Sequence, residues 1–326
     1  MFFEGSEKKA EILIDIEQLS LLTDIDDEFW LALVNCSQAH ILSSITNEHC
    51  KAFLLSESSL FVWHNRMLIL TCGETQLVKA VEYFIEKMGK NVITQLTYQR
   101  KNEYFSTAQP SSFNDDVQLL NQQLPGKAYR FGEFNGHHKY VFHANDANHK
   151  VNANSNNMTY ELLAHQISTQ ASEHLTQANL SKDDIRKFLR IETILPDFII
   201  DDFVFDPYGY SLNAINKNKY LTIHITPQVT PQADTSYISF ESNIDLLTLA
   251  PTLLEILAPA SFDLMSFNDA NFEDKLAENI PLHYVSKSRV SKRFNEGYLV
   301  NFASYILPQL SFVVPVEIAI VEENKP

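Results

Sequence analysis

The sequence predicts an α+β protein of two related halves, each an antiparallel sheet with helices over one face. Three observations lead there. Strand candidates are joined by short turns, which antiparallel pairing allows and parallel pairing does not. The helical segments carry one apolar stripe, so each covers a single sheet face. The order strand, strand, helix also occurs twice along the 326 residues. Two such halves bury their free faces by stacking sheet on sheet with the helices outside.

In the first half, Lys51 to Trp63 reads as a strand, His64-Asn65-Arg66 as a turn, and Met67 to Thr71 as the returning strand. A helix then starts near Thr75. It places Leu77, Val78, Val81, Phe84, Ile85 and Met88 on one face and ends at Gly89. In the second half, Tyr210 to Ile215 and Tyr220 to Thr226 flank the turn Asn216-Lys217-Asn218. Tyr237 to Glu241 adds a strand, and a short helix follows over Ala250 to Leu257. Further helices are expected at Asp26–Cys36, Ser112–Leu124 and Thr159–Leu175.

Composition describes a folded, acidic protein. The chain is 45% hydrophobic and 11% aromatic, which supports a substantial core and argues against disorder. The formal charge of −16 excludes a nucleic-acid partner, whose phosphates need a basic face, and suits a cationic ligand. Apolar runs fall short of the roughly 18 residues that span a membrane, and MFFEGSEKK has no secretory pattern. Cys36, Cys50 and Cys72 are odd in number and lack metal-ligand spacing, so they read as free thiols in a cytoplasmic protein with no metal site. With 8 glycines and no phosphate loop, a nucleotide-binding Rossmann unit is excluded.

Two segments carry chemistry. Leu55-Ser56-Glu57-Ser58-Ser59-Leu60 sets three hydroxyls and a carboxylate inside an apolar run. Buried polar groups need partners, so such an insertion is either a polar bulge on an edge strand or a site. A Glu57-Ser58 bond held there can react with itself. The serine hydroxyl attacks the preceding carbonyl to give an ester, and loss of the Cα proton then splits the chain and leaves a pyruvoyl group. The second segment is the strand Tyr220 to Thr226. Its alternation places Leu221, Ile223 and Ile225 on one face and Tyr220, Thr222, His224 and Thr226 on the other. A histidine on a face of hydroxyls can move protons near neutral pH.

Six blocks occur in order: FFEGSEK from Phe2, Leu55 to Ser59, Thr71-Cys72-Gly73, Arg100-Lys101-Asn102, FDPYGYSLN from Phe205, and TIHITP from Thr222. Together they resemble the eukaryotic-type S-adenosylmethionine decarboxylases, pyruvoyl enzymes of spermidine synthesis. The resemblance is vaguer beyond about Ile244. It implies a four-layer αββα sandwich of two pseudo-symmetric halves in a single domain, cut by the protein itself into residues 1–57 and 58–326. It also implies that the two chains stay associated, and a homodimer of the pair is compatible with it.

By this resemblance Ser58 becomes the pyruvoyl group, which forms a Schiff base with the substrate amine in place of pyridoxal phosphate, without a metal. His224 is the processing base, Ser211 orients it, and Cys72 returns a proton to the decarboxylated product. Phe3 and Phe205 sandwich the adenine, Glu4 and Glu7 line the site, and Leu55 and Gln228 touch substrate. Taken singly, Phe3 and Phe205 are ordinary core residues, Ser211 is a turn cap and Cys72 is a small buried hydrophobe.

Three departures stand out. Gln228 replaces a glutamate expected to hold the ribose hydroxyls, with Asp234 in the longer loop after it as a substitute. In the acidic cluster of putrescine-activated members, Glu11, Thr159, Glu161 and Glu241 match, but Asn157 replaces an aspartate and Leu70 a lysine. The expected response to putrescine is therefore weak or absent. Tyr208 replaces a cysteine, which is expected to be tolerated. Two rival readings are a regulatory paralogue and a pyruvoyl decarboxylase of ornithine or arginine. Retention of Ser58, Cys72, Ser211 and His224 argues against the first, and Phe3 with Phe205 against the second.

Overall fold

The computed structural model describes residues 7–103, 106–134, 136–145, 158–206, 208–226, 237–294 and 297–308. Its first half runs β1 (Lys8–Ile14), α1 (Asp27–Cys36), β2 (Ile41–Thr46), β3 (Cys50–Leu55), β4 (Ser58–Trp63), β5 (Arg66–Thr71), α2 (Leu77–Met88), β6 (Ile93–Lys101), α3 (Phe113–Gln123), β7 (Gly126–Gly132) and β8 (His138–Asn145). The second half runs β9 (Thr159–His165), α4 (Thr169–Leu175), α5 (Lys182–Phe188), α6 (Ile191–Ile194), β10 (Ile199–Val204), β11 (Tyr210–Asn216) and β12 (Lys219–Thr226). It continues with β13 (Tyr237–Ser242), α7 (Leu246–Leu257), β14 (Ser261–Phe267), α8 (Phe272–Asn279), β15 (Val285–Arg293) and β16 (Leu299–Ile306).

Among the described residues the strands form two antiparallel sheets. One is ordered β2-β3-β4-β5-β1-β6-β8-β7 and the other β10-β11-β12-β13-β9-β14-β16-β15. Adding eight to each strand number of the first gives the second, so the two halves share one topology. The α+β class and the paired halves thus agree with the sequence reading. Strand β3 packs on β11, β2 on β10, and β7 on β15 and β16, so like strands lie face to face. No helix among the described residues is long and apolar enough to cross a membrane.

The core has three levels. Helices α1 to α3 cover the first sheet, with Trp30, Leu33, Val81 and Phe84 packed on Ala10, Ile12, Leu60 and Ile69. Helices α4 to α8 cover the second in the same way, around Leu212, Ile223, Leu253 and Leu264. Burying one such side chain stabilises by roughly 1.5–3 kcal/mol. Between the sheets the packing is mixed. One end holds Phe61, Trp63, Leu68 and Tyr220, and the other holds Phe131, Met265, Phe267 and Phe302. The central strands β1, β5, β9 and β13 instead face each other through buried charges: Lys9, Glu11, Arg66, Glu161 and Glu241.

The local signals explain most boundaries. Asp26 accepts from the Phe29 N–H to start α1, and Ser112 forms a capping box with Asp115 at α3. Gly89, at φ +81°, stops α2. Three expectations are corrected. Thr159–Leu175 is not one helix. Residues Thr159–His165 form β9, buried along its whole length because it lies mid-sheet between β13 and β14. A strand covered on both faces loses its alternation and mimics a helical apolar face. Gln166, at φ +53°, then turns the chain, and Ser168 caps α4.

Lys51–Trp63 is likewise not one strand but β3 and β4, paired with Leu55 opposite Ser58. The polar hexapeptide is their turn, so the bulged edge-strand reading falls. Finally, α7 begins at Leu246 rather than Ala250. The Asp245 side chain accepts the Leu247 N–H, which starts the helix one turn before Pro251. By the shared strand order, the hairpin β11–β12 of the second half matches β3–β4 of the first.

Candidate active site

The hairpin turn Ser56-Glu57 is held from both sides. The Ser56 N–H donates to the His40 carbonyl at 2.8 Å, and the His40 N–H donates to Ser56 Oγ at 3.0 Å. The Cys72 N–H, just beyond β5, donates to the Glu57 carbonyl at 3.0 Å. Cys72 Sγ lies 3.3 Å from the same oxygen and 3.9 Å from Glu57 Oε2. Ser58 follows at φ +140°, a conformation that costs an L-residue about 1–3 kcal/mol and persists only when its surroundings fix it.

Across the sheet interface, β12 presents His224. Its Nε2 lies 2.9 Å from Ser58 Oγ, 2.9 Å from Thr222 Oγ1 and 3.3 Å from Ser59 Oγ. Its Nδ1 lies 2.9 Å from Ser211 Oγ, in line with a register that pairs Ser211 with His224. With Nδ1–H given to Ser211, Nε2 is left as an acceptor facing Ser58. Ser59 Oγ donates to Asn213 Oδ1 at 2.6 Å, and Asn213 Nδ2 donates to the Phe53 carbonyl at 3.0 Å. These bonds pin β11 and β12 to the hairpin that carries the turn.

Burial depresses His224 to about 3, so the imidazole is neutral at ordinary pH. Burial, reinforced by the charges of Glu57 and Glu7, pushes the Cys72 thiol well up, so it stays protonated. Burial also raises the Glu57 carboxyl. Lys8 donates 2.8 Å bonds to the Gly73 carbonyl and to Gln109 Oε1, and burial with the Arg100 charge lowers it to about 8. The site therefore combines a neutral base, a protonated thiol and a carbonyl that accepts two hydrogen bonds beside a hydroxyl.

The structure brings Ser58, Glu57, Cys72, Ser211 and His224 together. Glu7 lies close enough for its charge to act on Cys72, and its Oε1 is 3.7 Å from Lys139 Nζ. Phe205 follows β10, where it meets Phe203 edge to face at 4.9 Å. Phe203 pairs with Ser211, so both rings lie on the His224 side of the strand. Gly209, at φ +136°, returns the chain so that its carbonyl accepts the Phe205 N–H, and a Cβ there would press on Phe205 at 3.3 Å. Tyr208 is exposed, so a ring in that position has room. The Leu55 side chain packs under the helices of the first sheet, so only its backbone is available to a ligand. Phe3, Glu4, Asn157 and Gln228, with the Asp234 loop, lie outside the described residues.

The acidic cluster does assemble, but with cations the sequence reading missed. Lys9 Nζ lies 2.7 Å from both Glu161 and Glu241. Lys139 also bonds Glu161, and Arg66 lies 2.5 Å from Glu11. The Tyr220 hydroxyl donates to Glu241 at 2.9 Å. Burial pushes the Glu161 carboxyl up, but the Lys139 and Lys9 ammoniums outweigh it and hold Glu161 well below the carboxylate range. Glu241 rises, through burial and then the Glu161 charge. Thr159 begins β9 with a buried hydroxyl that has no hydrogen-bond partner among the described residues. Leu70, where a lysine was expected, pairs directly with Lys9.

Comparison with known proteins follows the same lines. A family model described as adenosylmethionine decarboxylase matches residues 1–306. The S-adenosylmethionine decarboxylase proenzyme of Dictyostelium discoideum is 31% identical over 93% of this chain and 85% of its own length. That of Drosophila melanogaster is 31% identical over 94% of each chain. The crystal structure of the Trypanosoma brucei AdoMetDC-delta26 monomer superposes with a TM-score of 0.58 at 19% identity. It covers 77% of this chain and 99% of its own, which supports the fold. The chain belongs to the adenosylmethionine decarboxylase family.

Proposed function

We propose that the chain cuts itself between Glu57 and Ser58 and that the resulting pyruvoyl enzyme decarboxylates S-adenosylmethionine for polyamine synthesis. The 2.9 Å approach of His224 Nε2 to Ser58 Oγ carries this reading. Ser58 Oγ, in contact with His224 Nε2, attacks the Glu57 carbonyl, whose developing charge meets the Cys72 N–H and thiol. The amide C–N bond breaks as the departing nitrogen takes the hydroxyl proton, which leaves an ester. His224 Nε2 then takes the Ser58 Cα proton, and the Cβ–O bond breaks to free the Glu57 carboxylate. Water replaces nitrogen at the remaining enamine carbon, releasing ammonia and leaving the pyruvoyl carbonyl.

A pyruvoyl group supplies an electrophilic carbonyl that takes the substrate amine and draws electrons as CO2 departs. The protein's part is placement. Cys72, kept as a thiol, donates a proton on the side of the former Ser58. Phe205, with Phe3, stacks the adenine, at roughly 0.5–1.5 kcal/mol per ring beyond area burial. Glu7 with Glu4 favours the sulfonium and ammonium charges. After cleavage the light chain stays bound, because β1 lies between β5 and β6, and β3 pairs with β4.

The diamine cluster is read here as self-neutralised. Lys9, Lys139 and Arg66 pair with Glu11, Glu161 and Glu241, and Lys139 also approaches Glu7, so each of these acids already has a cation beside it and leaves a dication little to relieve. Ligand coupling requires a difference in affinity between two states, and this arrangement removes its source.

Four outcomes are expected. Fresh wild-type protein gives two bands on a denaturing gel, corresponding to residues 1–57 and 58–326, and a single full-length band would end the pyruvoyl mechanism. Ser58→Ala stays intact even in hydroxylamine, whereas His224→Ala stalls at the ester and is split by it.

Processed protein releases CO2 from S-adenosylmethionine, and borohydride fixes substrate mass on the heavy chain. Cys72→Ala retains low processing but loses most turnover, and unchanged turnover would remove Cys72 from the reaction. Faster turnover of ornithine or arginine would redirect the substrate assignment alone.

The pH dependence follows from the lowered His224. A folded-state value near 3, against 6.5 in the unfolded chain, keeps the base neutral through the mildly acidic range. The cleavage rate should stay level from pH 8 to about 5, and a fall centred near 6.5 would indicate a solvated imidazole. The same group stabilises the fold above about pH 6.5, and that contribution is lost as pH falls toward 3.

Putrescine should change wild-type turnover by less than about twofold. Lys139→Ala removes one cation from Glu161, and breaking a buried pair costs about 3–5 kcal/mol. That variant should lose activity and regain part of it in millimolar putrescine. Strong activation of the wild type would mean the cluster is not self-neutralised.

A further inference from the structure

Away from the cleavage turn, three ligand-type side chains converge between the sheets. His165 ends β9, Asp263 lies on β14, and His137 sits in the turn before β8, reaching over from the first sheet. Asp263 Oδ2 lies 3.0 Å from His165 Nε2 and 3.4 Å from His137 Nδ1, and the two imidazole centroids are 3.9 Å apart. One ligand atom from each residue falls within 4.8 Å of the other two. Atoms sharing a four-coordinate cation at 2.0–2.2 Å are separated by roughly 3.3–3.6 Å, close to this spacing. A second observation points to a ligand. Asp263 is 3% exposed, and its other oxygen, Oδ1, is buried with no hydrogen-bond partner among the described residues. Such an orphan acceptor is costly unless something binds it.

We propose that His137, His165 and Asp263 form a site for one divalent transition cation of the zinc class, which clips the β7–β8 turn onto the second sheet. Two imidazoles and a carboxylate suit zinc and its first-row neighbours rather than magnesium or calcium, which take oxygen ligands. The Asp263 carboxylate supplies the counter-charge. The Lys101 ammonium, whose charge reaches His165, opposes it and limits the affinity. The site is structural. The register runs His224, Ser239, Leu163, Asp263 across successive strands, so Asp263 lies three strands, about 14 Å, from the processing base.

The test uses tag-free, processed protein stripped with chelator and then dialysed against Zn2+ or Co2+. Binding of about one metal per chain is expected, with visible Co2+ bands and no thiolate charge-transfer absorption. Zinc should raise the unfolding temperature, and chelator should reverse it. Removing a ligand should weaken binding at least about tenfold. Asp263→Asn tests the buried carboxylate. His137→Gln, on a part-exposed turn, tests the site without disturbing a strand. Stoichiometry far below one at excess metal would overturn the proposal. So would unchanged affinity in His137→Gln, or thiolate bands that place the ion on Cys36, Cys50 or Cys72.

Discussion

The two sheets meet through buried charge, and that constraint organises the rest of the protein. An ion pair in a dry interface gains only if both partners are placed and satisfied, since removing either leaves an uncompensated charge. Lys9, on the central strand of one sheet, contacts two glutamates on adjacent strands of the other, β9 and β13. This fixes the lateral register of one sheet on the other. Arg66 adds a third tie, with its guanidinium over the Trp63 and Tyr220 rings and bonded to the Tyr220 hydroxyl at 3.2 Å. Apolar packing at either end of the interface would tolerate sliding; the charged centre does not.

That register places the chemistry. Ser58 belongs to one sheet and His224 to the other, so their approach depends on how the sheets are set, not on either sheet alone. Between the charged layer and the site lies a short polar chain: Ser59, Asn213 and Thr222 join the His224 strands to the β3–β4 hairpin. The imidazole is held at both nitrogens by hydroxyls and has no acid beside it among the described residues. It is a base made available by desolvation rather than tuned by a carboxylate partner.

Much of this was legible in the sequence, and the gaps have physical causes. Periodicity located α1, α2 and α3, because each covers one face and keeps its stripe. It failed at β9, where burial on both faces erases the alternation. The residues proposed for processing were legible through ordered blocks, and the Thr222–His224 alternation placed His224 on a face of hydroxyls. Lys9 had the same signal, alternating with Glu11 between Ala10 and Ile12, but a lysine pair near the N-terminus reads as solvated charge. Arg66 was hidden in a presumed turn, and Lys139 on β8 has no local pattern. His137, His165 and Asp263 come from three separate segments, so no spacing rule could join them. Ser59, Asn213 and Phe203 are adjacent to recognised residues, and their roles emerge only from the register.

The light chain would supply both an edge and the middle of its sheet: β2 and β3 lie at one edge, and β1 lies mid-sheet. Strand β1 is flanked by β5 and β6, both from the segment after the cut, and β3 by β4. Segments interleaved in this way cannot assemble as preformed pieces. The uncut chain must fold before His224 can reach Ser58 from the opposite sheet. Under the proposed cleavage, maturation would act as an inspection of the fold: a copy with slipped sheets would not generate its own electrophile. An immature protein would be inert, and a mature one would have been correctly folded at least once.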